Sequence, residues 1–161
     1  MKSNDHRYTL PSTLDLCLKI VGVQFYSLDA AATTGTQVAP QWWTPEQDGL
    51  TQPWSGHTFV NPPWSDIPAW IRKAKREMAR LEAPFTISML LPANRTDQGW
   101  WQELVEPCIH GLPHDCAMRD AELSAHFLPG RIRYGSPGDT LGKLAGSPRF
   151  GSVLLIFKRS P

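Results

Sequence analysis

No stretch of this sequence holds an apolar run long enough to span a bilayer as a helix. The opening residues, Met1 to His6, lack the apolar core of a signal peptide. Both absences predict an intracellular, cytoplasmic protein. Cysteine is scarce: Cys17, Cys108 and Cys116 are odd in number and have no paired ligand spacing, which argues against a disulfide framework and against a zinc site. Each reads as a buried small hydrophobe, and no metal is expected. Charge of one sign is not in excess, since 16 Lys and Arg stand against 15 Asp and Glu. That balance neither requires nor excludes a polyanionic partner. There is no internal repeat, heptad or low-complexity tract, so solenoids, coiled coils and long disordered tails are excluded. The five histidines have no partner spacing and are assigned no role.

What is present fits one globular domain over residues 1–161 with a substantial core, because 41% of residues are hydrophobic and 19% charged. Charge is unevenly placed. Residues 131–161 hold six Lys or Arg against a single Asp, so the last fifth of the chain is basic. A basic edge of this kind suits phosphates, and suits plain solvation equally well. Tryptophan is abundant, at positions 42, 43, 54, 64, 70, 100 and 101, and fifteen prolines cut the chain into short elements.

One stretch organises the rest. The apolar run Thr58 to Val60 ends in Asn61-Pro62-Pro63-Trp64, and a helical pattern begins at Ser65 and Asp66. Consecutive prolines neither extend a strand nor sit inside a helix, so this is a rigid strand-to-helix loop. An amide stands at its entrance and an indole at its exit. The helix after it is marked by Ile67, Trp70, Ile71, Ala74, Met78 and Leu81, with Arg72, Lys73, Lys75, Arg76 and Arg80 mostly on a face expected to be solvated. Upstream, Ser12 or Thr13 is expected to cap a helix closed by Gly22. Val23 to Leu28 reads as a short buried strand running into Asp29. A strand-end Asp fits two roles, ligand contact at the edge of an open sheet or capping of the next turn. Trp42 to Leu50 reads as an aromatic edge leading into an Asp48-Gly49 turn. Phe85 to Leu91 is expected to be a central strand, residues from Asp97 to about Val105 a helix, and Ala121–Leu128 and Ser152–Lys158 two more strands. Arg131 and Arg133 alternate, so both can face one side. The long stretch Gly135 to Gly151, and with it Leu112 to Arg119, reads as functional loop. The pattern is α/β: a mostly parallel sheet covered by helices, with an antiparallel C-terminal strand.

The order of these pieces resembles the small phage-type DNA N6-adenine methyltransferases of the Dam-like family. The pieces are Tyr8-Thr9, strand-Asp29-Ala30-Ala31, Thr44-Pro45-Glu46 with Asp48-Gly49-Leu50, strand-Asn61-Pro62-Pro63-Trp64, Trp70 with Lys73-Ala74, Leu90-Leu91-Pro92 and Gly130-Arg131-Ile132. The resemblance covers about residues 8–157. It departs where the chain reads Thr9-Leu10-Pro11 instead of Thr-Pro, and where a glycine-rich loop is missing after Asp29. It implies a Rossmann-like, S-adenosylmethionine-dependent fold without a separate target-recognition domain. It implies a DNA partner in a bacterial cell or phage-infected host, acting as monomer or homodimer. Asn61, Pro62, Pro63 and Trp64 would be catalytic. Tyr8, Thr9 and Pro11 would lie at the methionine end of the cofactor, and Asp29, with Ala30 beside it, near its amino group. Asp48 and Leu50 would border its adenine, and Asn61 would touch it beside the amine. Arg131 and Arg133 would contact nucleic acid. The Asn-Pro-Pro-aromatic motif also serves enzymes acting on RNA bases and protein glutamine, and a non-catalytic remnant would keep the same fold.

Overall fold

The computed structural model describes residues 7–82, 84–111, 121–135 and 148–159. The stretches read as functional loop, Leu112 to Arg119 and most of Gly135 to Gly151, lie outside the described residues. The elements are β1 (Tyr8–Thr9), α1 (Pro11–Val21), β2 (Leu28–Asp29), β3 (Gln41–Trp42), β4 (His57–Val60), α2 (Ile67–Arg80), β5 (Phe85–Pro92), α3 (Gly99–Leu104), α4 (Glu106–Ile109), β6 (Glu122–Phe127), β7 (Tyr134–Gly135) and β8 (Ser152–Arg159).

Among the described residues the main sheet runs β3-β2-β4-β5-β8-β6. The pairs β3–β2, β2–β4 and β4–β5 are parallel, and β8 runs antiparallel to both β5 and β6. The mixed α/β architecture and the antiparallel C-terminal strand are therefore as expected. Side chains leave the pleat alternately. Val60, Ile87, Met89, Leu91, Val153, Leu155 and Phe157 pack with Ile67, Trp70, Ile71 and Trp101 on one face. Phe59, Leu90, Leu154 and Ile156 pack with Cys17 of α1, Tyr26 and Tyr134 on the other. All eight positions of β5 are buried, which explains its continuous apolar run. Burial pushes the Cys17 thiol up to about 12, as befits a packed hydrophobe.

Three local expectations are corrected. The strand read over Val23 to Leu28 is only Leu28–Asp29, with Phe25 63% exposed. Its neighbours set that limit: β3 starts at Gln41 and β4 at His57, so only the backbone from Ser27 onward finds partners, Ser27 N–H donating to the His57 carbonyl. The first helix is not capped by Ser12 or Thr13. Leu10 is the cap residue, without a side-chain bond, and Pro11 opens the first turn, where its missing N–H costs nothing. Gly22 ends the helix in the left-handed region, φ 78°.

The third correction concerns the basic side of α2. Arg72 and Arg76 are exposed, but Lys73 and Lys75 are buried. Glu77, also buried, is the reason for Lys73. Its Oε1 receives the Lys73 ammonium at 2.5 Å, while Oε2 accepts from the Trp54 N–H at 3.2 Å and from Arg80. Arg80 also donates to the Trp54 carbonyl at 2.9 Å. Burial alone would push the Glu77 carboxyl up, but hydrogen bonds from Lys73, Arg80 and Trp54 outweigh it and hold it below the usual range. A depressed pKa gives stability that is present above the ordinary value of 4.5 and is lost as pH falls. The cluster fixes Trp54, whose indole donates to the Gly49 carbonyl at 2.8 Å and stacks on Trp70 at 6.1 Å. Replacing Glu77 with Ala strips the carboxylate from a buried ammonium and should cost about 3–5 kcal/mol in denaturant unfolding. A loss under about 1 kcal/mol would contradict this role for the cluster.

Candidate functional site

The parallel strands β2 and β4 end side by side, Asp29 pairing with Phe59. From β2 the chain moves outward to β3, and from β4 it moves the other way to β5. The crevice beyond strand ends that diverge like this is where open α/β sheets hold ligands. A cavity of about 270 Å³ opens there. Its wall is built from Ala30 to Thr33, Trp43 to Pro45, Asp48 to Leu50, Asn61, Pro63, Ser65, Asp66 and Trp70. A narrower pocket shares Arg7, Ala31, Ala32, Thr33 and Asn61 with it and adds Tyr8, Thr9, Asp29 and Phe59.

Each part of the wall has a local cause. Asp29 is 4% exposed, and its carboxylate accepts the Ala31 N–H at 3.3 Å and the Val38 N–H at 3.1 Å. The loop from β2 to β3 is therefore folded back over the strand end. Burial raises the Asp29 carboxyl from 3.8 to about 6, with the two backbone bonds opposing it. Its carboxyl lies at the narrow end of the crevice. The segment Thr44 to Gln52 is a run of turns with Asp48 in the left-handed region, φ 56°. Asp48 Oδ1 accepts the Leu50 N–H at 3.1 Å. A Cβ on Gly49 would collide with the Ala30 carbonyl oxygen, so glycine lets this turn lie against the β2 end.

Asn61 follows Val60, and the two prolines after it bring no N–H to continue the ladder. Trp64 to Asp66 form a 3-10 turn into α2. The Asn61 Nδ2 donates to the Arg7 carbonyl at 3.3 Å and to the Thr9 Oγ1 at 3.2 Å. A backbone carbonyl only accepts, so the amide nitrogen must face Arg7 and the amide oxygen must face away.

The sequence-expected residues divide. Tyr8, Thr9 and Asp29 line the narrow pocket, Ala30, Asp48, Leu50 and Pro63 the larger cavity, and Asn61 both. Pro62 is buried, and Pro11 is exposed on α1; neither is among the lining residues. Trp64 also stands outside the cavities. The Arg7 guanidinium lies 4.3 Å from its ring centre, and Tyr134 and Phe150 pack on it at 5.7 and 5.4 Å. Arg131 and Arg133 are exposed and alternate with buried Ile132 and Tyr134. Sequence reasoning missed Arg7, which lines both pockets, and assigned no site role to Trp43 or Trp70, which line the cavity. Only the nearness of Arg7 to Tyr8 in sequence could have suggested it. Among the described residues no cluster of three His, Cys, Asp or Glu could hold a metal, and no helix is long and apolar enough to cross a membrane.

The family model described as DNA N-6-adenine-methyltransferase (Dam) matches residues 4–159. The chain belongs to the Dam family. Its class of activity is thus DNA N6-adenine methylation, with DNA as the implied substrate. Comparison with curated proteins finds no match. A solved structure described as "Conversion of a Disulfide Bond into a Thioacetal Group during Echinomycin Biosynthesis" is 13% identical, covering 99% of this chain and 83% of its own, with a TM-score of 0.47. That likeness is too distant to bear on fold or chemistry.

Asp29 gives this Dam-family site a pH signature. Below pH 3.8 the group is protonated both folded and unfolded. Between that value and about 6 the unfolded chain loses the proton first, so folding is penalised increasingly as pH rises. Measured against Asp29→Asn, wild-type stability should fall by roughly 3 kcal/mol across this window and then level off. A difference independent of pH would show that Asp29 is not a raised, buried carboxyl.

Proposed function

We propose that the chain moves a methyl group from S-adenosylmethionine to the exocyclic amine of an adenine flipped out of duplex DNA. We read the described sheet as a Rossmann-like methyltransferase core. The observation that carries this reading is the orientation of Asn61, whose amide oxygen is turned away from β1 at the mouth of the crevice. The wall also suits the cofactor. A buried carboxylate, Asp29, stands at the narrow end for a cationic amino group, with Tyr8 and Thr9 beside it. Ala30, Asp48 and Leu50 border the wider part for a flat heterocycle. The cavity is close to the smaller end of ligand-pocket sizes. When bound, S-adenosylmethionine supplies an electrophilic methyl group on a sulfonium.

The residues then have separate tasks. The adenine amine is a weak nucleophile because its lone pair is delocalised into the ring. The Asn61 side-chain oxygen and the Pro62 backbone oxygen accept its two hydrogens, which favours a pyramidal nitrogen and stabilises the charge that develops there. Pro62 and Pro63 hold the two acceptors rigid. The remaining requirement is alignment, so no dedicated general base is assigned. Adenine in a duplex hides this amine, and reaching it requires flipping. Trp64 offers a face for the flipped base, provided the Arg7 guanidinium swings off it. Arg131 and Arg133 project from the segment leading into β7, where they can meet phosphates.

Two outcomes test the reading. Purified protein with labelled cofactor should place N6-methyladenine in duplex DNA, and Asn61→Ala should cut turnover at least about 100-fold while binding the cofactor normally in calorimetry. Transfer only to RNA or to protein glutamine would overturn the choice of substrate, and cofactor binding without transfer to any of them would indicate a non-catalytic remnant. Separately, changing Arg131 and Arg133 together to Ala should flatten the dependence of log affinity for DNA on log salt by about 2. An unchanged slope would remove both from the DNA interface.

A further inference from the structure

We infer that Thr9 is a positioning residue for the amine clamp, anchoring the Asn61 amide in the orientation that the Arg7 carbonyl selects. This rests on the reading of Asn61 as amine acceptor and assigns the Thr9 hydroxyl to Asn61 instead of to a cofactor.

The argument is one of hydrogen-bond supply. A carboxamide can turn over by rotation, exchanging its acceptor for its donors at little steric cost. An Asn that must present oxygen to an amine therefore needs something that rejects the other orientation. Here the Asn61 Nδ2 carries two N–H groups and meets two acceptors, the Arg7 carbonyl at 3.3 Å and the Thr9 Oγ1 at 3.2 Å. Turned over, the amide oxygen would face the Arg7 carbonyl oxygen, which only accepts and so repels it; the Thr9 hydroxyl, able to donate or accept, anchors the amide that the Arg7 carbonyl orients. Engaging both N–H groups also polarises the amide and makes its oxygen a stronger acceptor.

The acceptors are themselves fixed. Thr9 is 6% exposed and lies in β1, paired with Tyr134 of β7, while Tyr8 pairs with Gly135. A Cβ on Gly135 would fall inside the Tyr8 ring, so the Tyr8 ring rests directly on glycine backbone. Tyr134 meets the Trp64 ring edge-on at 5.7 Å. The pair β1–β7 thus joins residues 8–9 to residues 134–135 at the back of the clamp. Positioning of this kind acts on turnover and leaves ground-state binding largely alone.

The experiment uses the full chain, duplex DNA and labelled S-adenosylmethionine, with Asn61→Ala measured in parallel. Thr9→Val keeps the shape but removes the acceptor, and Thr9→Ser keeps the acceptor. Thr9→Val should lower kcat about tenfold, the equivalent of one hydrogen bond, with the cofactor Kd within about twofold of wild type. Thr9→Ser should restore kcat to within about threefold. Wild-type kcat in Thr9→Val, while Asn61→Ala is inactive, would overturn this inference alone. Near-normal turnover in Asn61→Ala would overturn the clamp reading and this inference with it. Loss of cofactor affinity in Thr9→Val with normal kcat at saturation would make Thr9 a cofactor ligand and also overturn it. The wild-type chain supplies an independent check, needing no folded Thr9 variant. Its Asn61 side-chain amide protons, identified by NMR, should exchange with solvent at least about tenfold more slowly than those of a free Asn amide; equal exchange would overturn the proposal.

Discussion

The site turns on the two hydrogen bonds from the Asn61 amide to residues 7 and 9. They span more than fifty residues of sequence and fix which end of a nearly symmetric group is turned away from residues 7 and 9. The Pro62-Pro63 turn can only hold Asn61 in place; it cannot choose between the two faces of its amide. That choice belongs to the Arg7 carbonyl, just before β1, with Thr9 of β1 beside it, and β1 pairs with β7. The proposed chemistry at one loop therefore depends on β1 and β7, although neither is a strand beside β4.

Around this point the protein buries charge in two ways. Glu77 is matched by Lys73, Arg80 and a backbone N–H, and its carboxyl is held below the ordinary range. It locks Trp54, and through Trp54 the Gly49 turn that walls the cavity. Asp29 has backbone N–H donors from Ala31 and Val38, burial dominates, and its carboxyl rises to about 6. A group left under-compensated at the edge of a pocket is one that a cationic ligand would stabilise. The contrast separates a carboxylate serving the scaffold from one suited to binding.

Much of this was legible in sequence because it follows local rules. β5 and β8 are continuous apolar runs, α2 has helical spacing, and consecutive prolines stop β4 where the structure stops it. The order of the motifs led to the family that the whole-chain match establishes. What was not legible depends on partners distant in sequence. Val23 to Tyr26 has strand-like residues but, among the described residues, no strand to pair with. Lys73 looked solvated until Trp54 and Glu77 closed around it. Trp64 was expected at the catalytic loop, but nothing in the sequence shows that Arg7, Tyr134 and Phe150 pack around it. Periodicity carries no information about which arginine will lie on which ring, nor about the pairing of two-residue strands such as β1 and β7.

The central claim is that this chain methylates adenine in DNA through the oriented Asn61 amide. The most direct measurement is a map of methylated adenines in DNA from methylation-deficient bacteria expressing the chain, beside cells expressing Asn61→Ala at equal level. The account predicts N6-methyladenine in the first and its absence in the second. Equal methylation in both, or none in either with folded, cofactor-binding protein, would contradict it.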